Sequence, residues 1–317
     1  MSQRHSHHAP RSHNAHSGNA AQASAADNAY PTRAYSRVAA QTFWQRALSH
    51  RSFVFGAMLT ALLLLAAIGS YLWAPASVHA LDMGARSAAP SAAHWLGTDA
   101  YGRDEATLIL MGARVSILVG VIAVGIGLGL GLVLGLIASA WPGWVEEIVM
   151  RSADFAFAFP ALLSAIMLTA VYGSSLVNAI VAIGIFNIPV FARVTRGAAK
   201  AVWARDYVLA ARACGKSRWA IMLQHVLPNI APVLIVQATI QFALAILAEA
   251  ALSYLGLGVP ANESSWGRML SEAQTLMFDS PLLAVWPGLA IAIAVLGLNL
   301  LGDGLRDVLD PRLSQTR

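Results

Sequence analysis

The chain has 317 residues, of which 57 % are hydrophobic and only 12 % are charged. An ordinary soluble domain carries about 25 % charged residues, so this composition argues against a soluble globular enzyme, a disordered chain and a DNA-binding protein. In so apolar a chain, the net charge of +5 indicates basic loops on one face of a membrane. The single cysteine, Cys214, excludes an internal disulfide framework and a cysteine-based zinc site.

Residues 1–50 differ from the rest of the chain in composition. They are rich in histidine, serine, asparagine and alanine, and they hold no apolar run of the kind found in a secretory signal peptide. We expect a disordered cytoplasmic tail that ends in a short amphipathic segment near 43–48. Histidines bind transition metals, but nothing in this tail fixes a ligand geometry, so a solvated tail is the favoured interpretation.

Six apolar segments follow, and a membrane span needs about 20 such residues. The predicted spans lie at about 53–73, 115–145, 148–171, 177–194, 232–254 and 280–302. The second carries glycines spaced four residues apart, a spacing that lets two helices approach closely in lipid. The sequence therefore predicts an all-α integral membrane protein, with a six-span domain over residues 51–310 and a cytoplasmic tail at 311–317.

The positions of lysine and arginine orient these spans. With both termini in the cytoplasm, the basic residues left outside are Arg86, Arg103, Arg114 and Arg268, and all the others lie inside. This is the positive-inside pattern of membrane proteins. The chain is therefore predicted to be a multi-pass protein of a bacterial cytoplasmic (inner) membrane.

The most informative segment is the cytoplasmic loop at about 197–229. Its first helix is predicted to end at Cys214, because Gly215 is a typical C-terminal cap. A second helix is capped by Ser217 and is predicted to end before Pro228. Periodicity alone leaves two interpretations open: a docking surface for a soluble partner, or a connection that lies on the membrane interface.

This loop resembles the EAA loop of ABC importer permeases. The residues that match the pattern Ala-Ala-x3-Gly-x9-His-x2-Pro-Asn are Ala210, Ala211, Gly215, His225, Pro228 and Asn229. Stretches at 96–104, 112–116, 150–163 and 249–270 resemble the dipeptide, oligopeptide and nickel subfamily (C-type) of these permeases. The resemblance runs from about residue 40 to the end of the chain.

Within the first of these stretches, the residues of an extracytoplasmic motif are Gly97, Thr98, Asp99, Gly102, Arg103 and Asp104. The chain departs from the family pattern in three places. Leu209 replaces the first glutamate of the loop, which leaves Asp206 to supply that charge. Glu105 and Leu108 stand where apolar and basic residues are expected.

The resemblance implies a type I ABC importer permease fold with a cytoplasmic coupling-helix loop. It implies a permease subunit for dipeptides or oligopeptides, with no catalytic residue, metal or cofactor of its own. The implied partners are a homologous permease in a heterodimer, two ABC ATPase subunits that bind ATP and magnesium, and an extracytoplasmic substrate-binding protein. Arg205, Gly215 and Trp219 are the residues that we expect at the ATPase contact.

Polar groups inside the spans are candidates for the translocation path or a gate. These are Asp154, Glu249 and Gln241. Gln237, Asn187 and Asn299 could also face a polar lumen, but interhelical hydrogen bonds explain these three residues and Gln241 equally well. A local ion pair with Arg151 is the plainer account of Asp154, and structural pairing is the plainer account of Glu249. The extracytoplasmic motif has two possible interpretations. It is either a turn that its aspartates stabilise or a surface that meets the binding protein.

Other functions remain open at this level. A nickel or glutathione importer permease would look similar in this subunit. An ion-coupled secondary transporter predicts an inverted repeat, which residues 53–171 and 177–302 do not show. A membrane-embedded enzyme needs clustered nucleophiles or acids. Gly215, Lys216 and Ser217 imitate the end of a phosphate-binding loop, but Ala210 occupies the position of its first glycine.

Overall fold

The computed structural model describes residues 43–73, 82–260 and 263–309, and the regular elements within them are helices. A short helix, α1 (Phe43–Ser49), coincides with the predicted amphipathic segment. The other helices are α2 (Arg51–Trp73), α3 (Glu105–Ala140), α4 (Trp144–Ala158), α5 (Ala161–Tyr172), α6 (Leu176–Trp203), α7 (Asp206–Ala213), α8 (Arg218–Ile221), α9 (Leu227–Tyr254), α10 (Trp266–Ala273) and α11 (Leu282–Leu309). The predictions for the tails at 1–42 and 311–317 lie outside the described residues.

Among the described residues, five helical segments are long and apolar enough to cross a membrane: α2, α3, α6, α11 and the continuous segment from α8 into α9. Helices α4 and α5 pass the same test together, but they are bent by 79°. Six spans therefore result when the bent pair is counted as one. The all-helical membrane fold predicted from the sequence is confirmed.

The third span is broken, whereas the sequence analysis treats it as continuous over 148–171. Phe159 adopts an extended conformation at φ −98° and ψ 126°, and helix α5 begins only after Pro160. A proline ring pushes the preceding residue out of the helical region. The predicted span at 148–171 is therefore made of two helices, which are separated at Phe159 and Pro160.

Helix α3 begins earlier than predicted, at Glu105 rather than near residue 115. The side chain of Asp104 caps it by accepting a hydrogen bond from the backbone nitrogen of Thr107 at 2.9 Å. Such a cap satisfies one of the free N–H groups at a helix start. The first turns of α3 therefore form a structural extension of the span towards the polar segment at 82–104.

A seam of glycines on α3 lets α6 approach very closely. A Cβ atom at Gly127 would lie 2.3 Å from the Cβ of Asn187, and one at Gly131 would lie 2.6 Å from the carbonyl oxygen of Ile188. These distances leave no room for a side chain, so backbone packs on backbone, as expected for small residues four apart. Helices α3 and α6 thus form the tightly packed centre of the molecule.

A second packed region joins α2, α3, α10 and α11. Trp266 of α10 is buried, and its Nε1 donates a hydrogen bond to the carbonyl oxygen of Ile109 at 3.0 Å. Gly56 of α2 faces the backbone of Leu301, where an added Cβ would approach to 2.2 Å. An ion pair between Arg103 and Glu272 joins the segment at 82–104 to α10, and we call that pair the outer cap.

Candidate functional site

The loop between α6 and α9 turns sharply at Gly215, which has φ +81°. The nitrogen of Gly215 donates to the carbonyl oxygen of Arg212 at 3.0 Å, and the nitrogen of Lys216 donates to that of Ala211 at 3.1 Å. This pair of bonds is a Schellman motif, which ends a helix with a left-handed residue. The predicted C-terminal cap at Gly215 is confirmed. Ser217 caps α8, as predicted, by accepting from the nitrogen of Ala220 at 3.2 Å.

Three fully buried aliphatic side chains anchor the loop to the helix bundle. Val208 of α7, Ile221 of α8 and Val226 at the start of α9 each have 0 % exposure. Elsewhere on α7, Asp206 and Ala210 are exposed, as is Arg205 just before the helix, and Ala211 is half-buried. The loop therefore has an inner face that fixes its position and an outer face that is free to meet a partner.

The loop is also fastened to the end of α3. The ring of Trp219 packs on Trp141 with centroids 5.1 Å apart. Arg218 donates from Nη1 to the carbonyl oxygen of Ala140 at 3.2 Å. Because α3 and α6 pack tightly along the glycine seam, a displacement of the loop would move both helices together.

The outer face of the loop is apolar at its centre. Tyr207, Leu209, Trp219 and Leu223 are 42 %, 48 %, 53 % and 56 % exposed. We call these four residues the docking patch. Large exposed apolar groups flanked by charge are typical of interaction sites. Leu209, which stands in place of the glutamate of the family pattern, is one of these four exposed apolar residues.

The end of the loop continues into α9 through a π-helical turn, Met222–Val226, in which the nitrogen of Leu227 bonds to the carbonyl oxygen of Met222. A proline ring crowds the carbonyl four residues earlier and supplies no N–H. The wider turn relieves that conflict before Pro228, and α9 begins at Leu227. The prediction that the helix ends before Pro228 is therefore wrong.

His225 and Asn229 stabilise this turn. The side-chain nitrogen of Asn229 donates to the carbonyl oxygen of His225 at 2.7 Å. The Nε2 atom of His225 lies 3.2 Å from the ammonium of Lys216, and its ring meets that of Tyr207 at 6.1 Å between centroids. His225 and Asn229, two residues of the EAA-like pattern, thus make contacts within the loop itself.

Asp154 pairs with Arg193 of α6 rather than with Arg151. Arg151 bonds instead to Glu147 of its own helix, with its Nη2 at 2.6 Å from Oε1. A glutamate four residues before an arginine lies on the same face of a helix and is well placed to pair with it. The predicted local pair is wrong, and Asp154 instead joins α4 to α6.

The sequence analysis missed a second link between these helices. Glu146 accepts hydrogen bonds from both Arg196 and Lys200, and the Nε atom of Arg196 lies 2.7 Å away. The spacing of Arg196 and Lys200, four residues apart on α6, marks a basic face. It could have suggested an acidic partner, but it could not identify α4 as the helix that supplies it.

Glu249 is fully buried and lies outside the groove described below. Its Oε1 atom accepts from the hydroxyl of Ser253 at 2.7 Å, and that hydroxyl accepts from the nitrogen of Val259 at 3.0 Å. The Oε2 atom has no hydrogen-bond partner within the described ranges. Glu249 therefore ties the end of α9 to the turn that follows it.

A groove of about 550 Å³ opens at the break between α4 and α5 and is bounded by α6 and α9. Its lining is mainly apolar and includes Phe157, Phe159 and Phe186, and it contains two amides, Asn187 and Gln241. Gln241 is thus the one predicted path residue that the structure places in a groove. Asp154 and Glu249 do not line it.

The extracytoplasmic motif forms a compact turn in the outer cap. Asp99 accepts from the nitrogens of Tyr101 and Arg103, each at 2.8 Å. Thr98 pairs with Asp104 in a short bridge, and its hydroxyl accepts from the nitrogen of Ala88 at 2.8 Å. Each aspartate therefore stabilises local backbone, which agrees with the simpler of the two predictions for this motif.

Two glycines make this turn possible. Gly97 and Gly102 have φ +86° and +79°, and a Cβ at Gly102 would lie 1.9 Å from the carbonyl oxygen of Asp82. Only glycine adopts this backbone region at no steric cost. The motif glycines are therefore required by the path of the chain.

Arg103 connects the motif to α10. Its Nε lies 2.5 Å from Oδ2 of Asp99, and its Nη2 lies 2.6 Å from Oε2 of Glu272, which also binds Arg268 at 2.9 Å. Burial alone would lower the pKa of the Arg103 guanidinium, but the carboxylates of Asp99 and Glu272 outweigh this effect and raise that pKa above its ordinary value. We call these four side chains the cap network.

The two other departures from the family pattern lie beneath this cap. Glu105 and Leu108 are almost completely buried and line a small cavity together with Asp99 and Glu272. They therefore contribute to packing between α3 and α10, and the departures are confined to the interior of the cap.

Comparison with known proteins matches this chain to one family of membrane transport components and to individual permeases. The family described as "Binding-protein-dependent transport system inner membrane component" matches residues 127–315. The chain is 40 % identical over 272 residues to the glutathione transport system permease protein of Pectobacterium atrosepticum, covering 86 % of this chain and 90 % of that one. It is 41 % identical over 260 residues to the dipeptide transport system permease protein of Alkalihalophilus pseudofirmus, covering 82 % and 86 %.

Among solved structures, an inward-facing crystal form of the MetNI methionine ABC transporter superposes with a TM-score of 0.54. The identity is 18 %, and the match covers 64 % of this chain and 97 % of that chain. At this identity, the similarity establishes a shared fold.

Proposed function

The chain belongs to the family of binding-protein-dependent transport system inner membrane components, and on that premise we propose that it is a permease subunit of an ABC importer for short peptides. The observation that carries the proposal is the similarity, over most of the chain, to permeases named for glutathione and dipeptide transport. Glutathione is a tripeptide, so the two names agree on short peptides as the substrate class.

The docking patch is the surface that we assign to an ATPase subunit. It is apolar, exposed, and carried by a loop that is anchored at Val208 and fastened to α3 through Trp141 and Trp219. Closure of two ATPase subunits around ATP and magnesium would displace the loop as a rigid body. The ATP-binding and catalytic groups belong to those subunits, and this chain supplies the pathway.

The remaining partners follow from the same function. A homologous permease completes the pathway in a heterodimer, and a substrate-binding protein delivers the peptide from outside. The outer cap is the surface that we assign to the binding protein, because the cap network holds Asp99 and Arg103 in a fixed arrangement. We assign both termini to the cytoplasm on the basis of the distribution of lysine and arginine.

The groove favours a peptide over nickel, which the resemblance leaves open as a substrate. The residues of the described chain that line it include no histidine, cysteine, aspartate or glutamate. Nickel in proteins is bound by imidazole and other strong donor groups. An apolar lining with two amides suits a peptide better than a hydrated cation.

Reconstitution in proteoliposomes tests the function. The chain is assembled with its second permease, its ATPase subunits and its binding protein, and uptake of radiolabelled dialanine, glutathione and nickel is measured. We expect peptide uptake that requires both ATP and the binding protein. Uptake driven by a proton or sodium gradient, without the ATPase subunits, would instead support an ion-coupled transporter.

A further inference from the structure

The two amide side chains that line the groove are almost completely buried. Asn187 is near the middle of α6 and Gln241 near the middle of α9, and their exposures are 8 % and 4 %. The side-chain nitrogen of Asn187 has no hydrogen-bond partner in the described part of the chain. A buried polar group without a partner costs free energy, so this amide is suited to a ligand that completes its hydrogen bond.

The start of helix α5 also borders this groove. Helix α5 begins after Pro160 with no side-chain cap, and Ala161 and Leu162 of its first turn line the groove. The first N–H groups of a helix have no partner within the helix. In transporters, broken helices at the middle of the membrane present such N-termini to anionic groups of the substrate.

We propose that Asn187 and Gln241 bind a main-chain amide of the transported peptide, while the N-terminus of α5 receives its terminal carboxylate. This proposal rests on the proposed function and names the chemical groups of the substrate that the groove recognises. A peptide amide offers one donor and one acceptor, and each carboxamide side chain also offers both. The substrate's side chains then meet the apolar walls, which impose little selection among them.

The rest of the lining agrees with this assignment. Three phenylalanines, at 157, 159 and 186, line the groove together with the two amides, and its volume of about 550 Å³ lies within the range of about 300–1,000 Å³ that is common for ligand sites. Recognition through the main chain would let one pathway carry peptides of different sequence.

The test uses the reconstituted complex and a matched pair of substrates. Uptake of dialanine is compared with that of its analogue methylated at the amide nitrogen, which has lost the N–H donor. If glutathione is the transported peptide, the pair is glutathione and its analogue methylated at the cysteinyl-glycine amide. Three complexes are measured with the same binding protein: wild type, Gln241→Met and Asn187→Leu.

We expect each variant to reduce uptake of the unmodified peptide by about 3- to 10-fold, as for the loss of one hydrogen bond. We also expect discrimination against the methylated peptide to shrink relative to wild type. Because all complexes share one binding protein, its own selectivity cancels in this comparison. Gln237→Met, one turn before Gln241 and outside the groove lining, is the matched control and should behave as wild type.

Two results would overturn the inference while leaving the peptide importer intact. One is unchanged uptake and unchanged discrimination in both variants. The other is loss of the second permease from the purified variant complexes, which would assign the groove to a helix of that partner. If the wild-type complex carries no peptide at all, the proposed function fails instead, so the two failures are distinguishable.

Discussion

A substitution at the single residue Gly215 tests whether the sharp turn of the loop is needed to bind the ATPase subunit. Replacing Gly215 by valine places a β-branched residue at φ +81°, which costs about 1–3 kcal/mol in backbone strain. A Cβ there meets no other atom within 4 Å, so the cost is conformational and local. We expect the variant to insert normally but to retain less ATPase subunit on co-purification and to transport more slowly.

Gly197→Ala is the control for this variant. Gly197 lies in α6 with open space around it, and alanine is a better helix former than glycine. Wild-type amounts of co-purified ATPase in Gly215→Val would show that the turn is not needed for docking.

A second residue-scale prediction concerns Arg103. Its side chain is 11 % exposed and lies between Asp99 and Glu272, so Arg103→Met leaves the shielded carboxylate of Asp99 without its counter-charge and leaves Glu272 with Arg268 alone. Removing one partner of such a network costs about 3–5 kcal/mol. We expect the melting temperature of the purified protein to fall clearly, as measured by intrinsic fluorescence.

Arg151→Met is the matched control for Arg103→Met, because Arg151 is 78 % exposed. Exposed pairs contribute little to stability, so its melting temperature should stay near that of wild type. An equal decrease in the two variants would mean that burial of the cap network does not matter.

At the scale of helices, the seam between α3 and α6 provides an internal comparison. Gly131 faces the backbone of α6, whereas a Cβ at Gly129 meets nothing within 4 Å. Alanine at Gly131 should therefore separate the helices and lower the melting temperature, while alanine at Gly129 should leave it unchanged or raise it slightly. Two equally stable variants would contradict the backbone-to-backbone packing.

Features of the helices that depend on neighbouring residues in the sequence could be predicted better than features that depend on which helix packs alongside. Span positions and the cap at Gly215 depend on local composition, and they could be predicted. The break at Phe159 and the wide turn before Pro228 also have local causes, but a proline allows either a kink or a stop, so sequence alone does not decide between them. The partner of Asp154 depends on which helix packs alongside, which no local pattern contains.

For the molecule as a whole, labelling of the single cysteine tests the proposed topology. Cys214 is exposed in the docking loop, which we assign to the cytoplasm. A membrane-impermeant maleimide should therefore label it in inside-out vesicles and not in intact spheroplasts. Ala92→Cys in a Cys214→Ser background, in the exposed part of the outer cap, should give the opposite pattern. Labelling of Cys214 in intact spheroplasts would show that the orientation is the reverse of the proposed one.

The groove is the part of the site that sequence could predict least. Gln241 and Asn187 are noticeable as polar residues in apolar spans, but they are 54 positions apart in the chain. Their meeting depends on how α6 and α9 pack around the break before α5. Glu249 is also a polar residue in an apolar span, but it bonds to Ser253, whose hydroxyl in turn contacts the turn that follows α9.

Because the side chains of the cap network are shielded from solvent, salt in the surrounding medium should affect the outer cap little. On the proposed topology, the outer cap faces a medium whose ionic strength the cell does not control. At 0.1 M salt, charges are screened over about 10 Å in water, but shielded pairs are screened much less. The side chains of Asp99, Arg103 and Glu272 are 10 %, 11 % and 18 % exposed. The cap should therefore keep its shape from dilute to brackish surroundings, while the exposed pair of Glu147 and Arg151 sits where the cytoplasm keeps salt nearly constant.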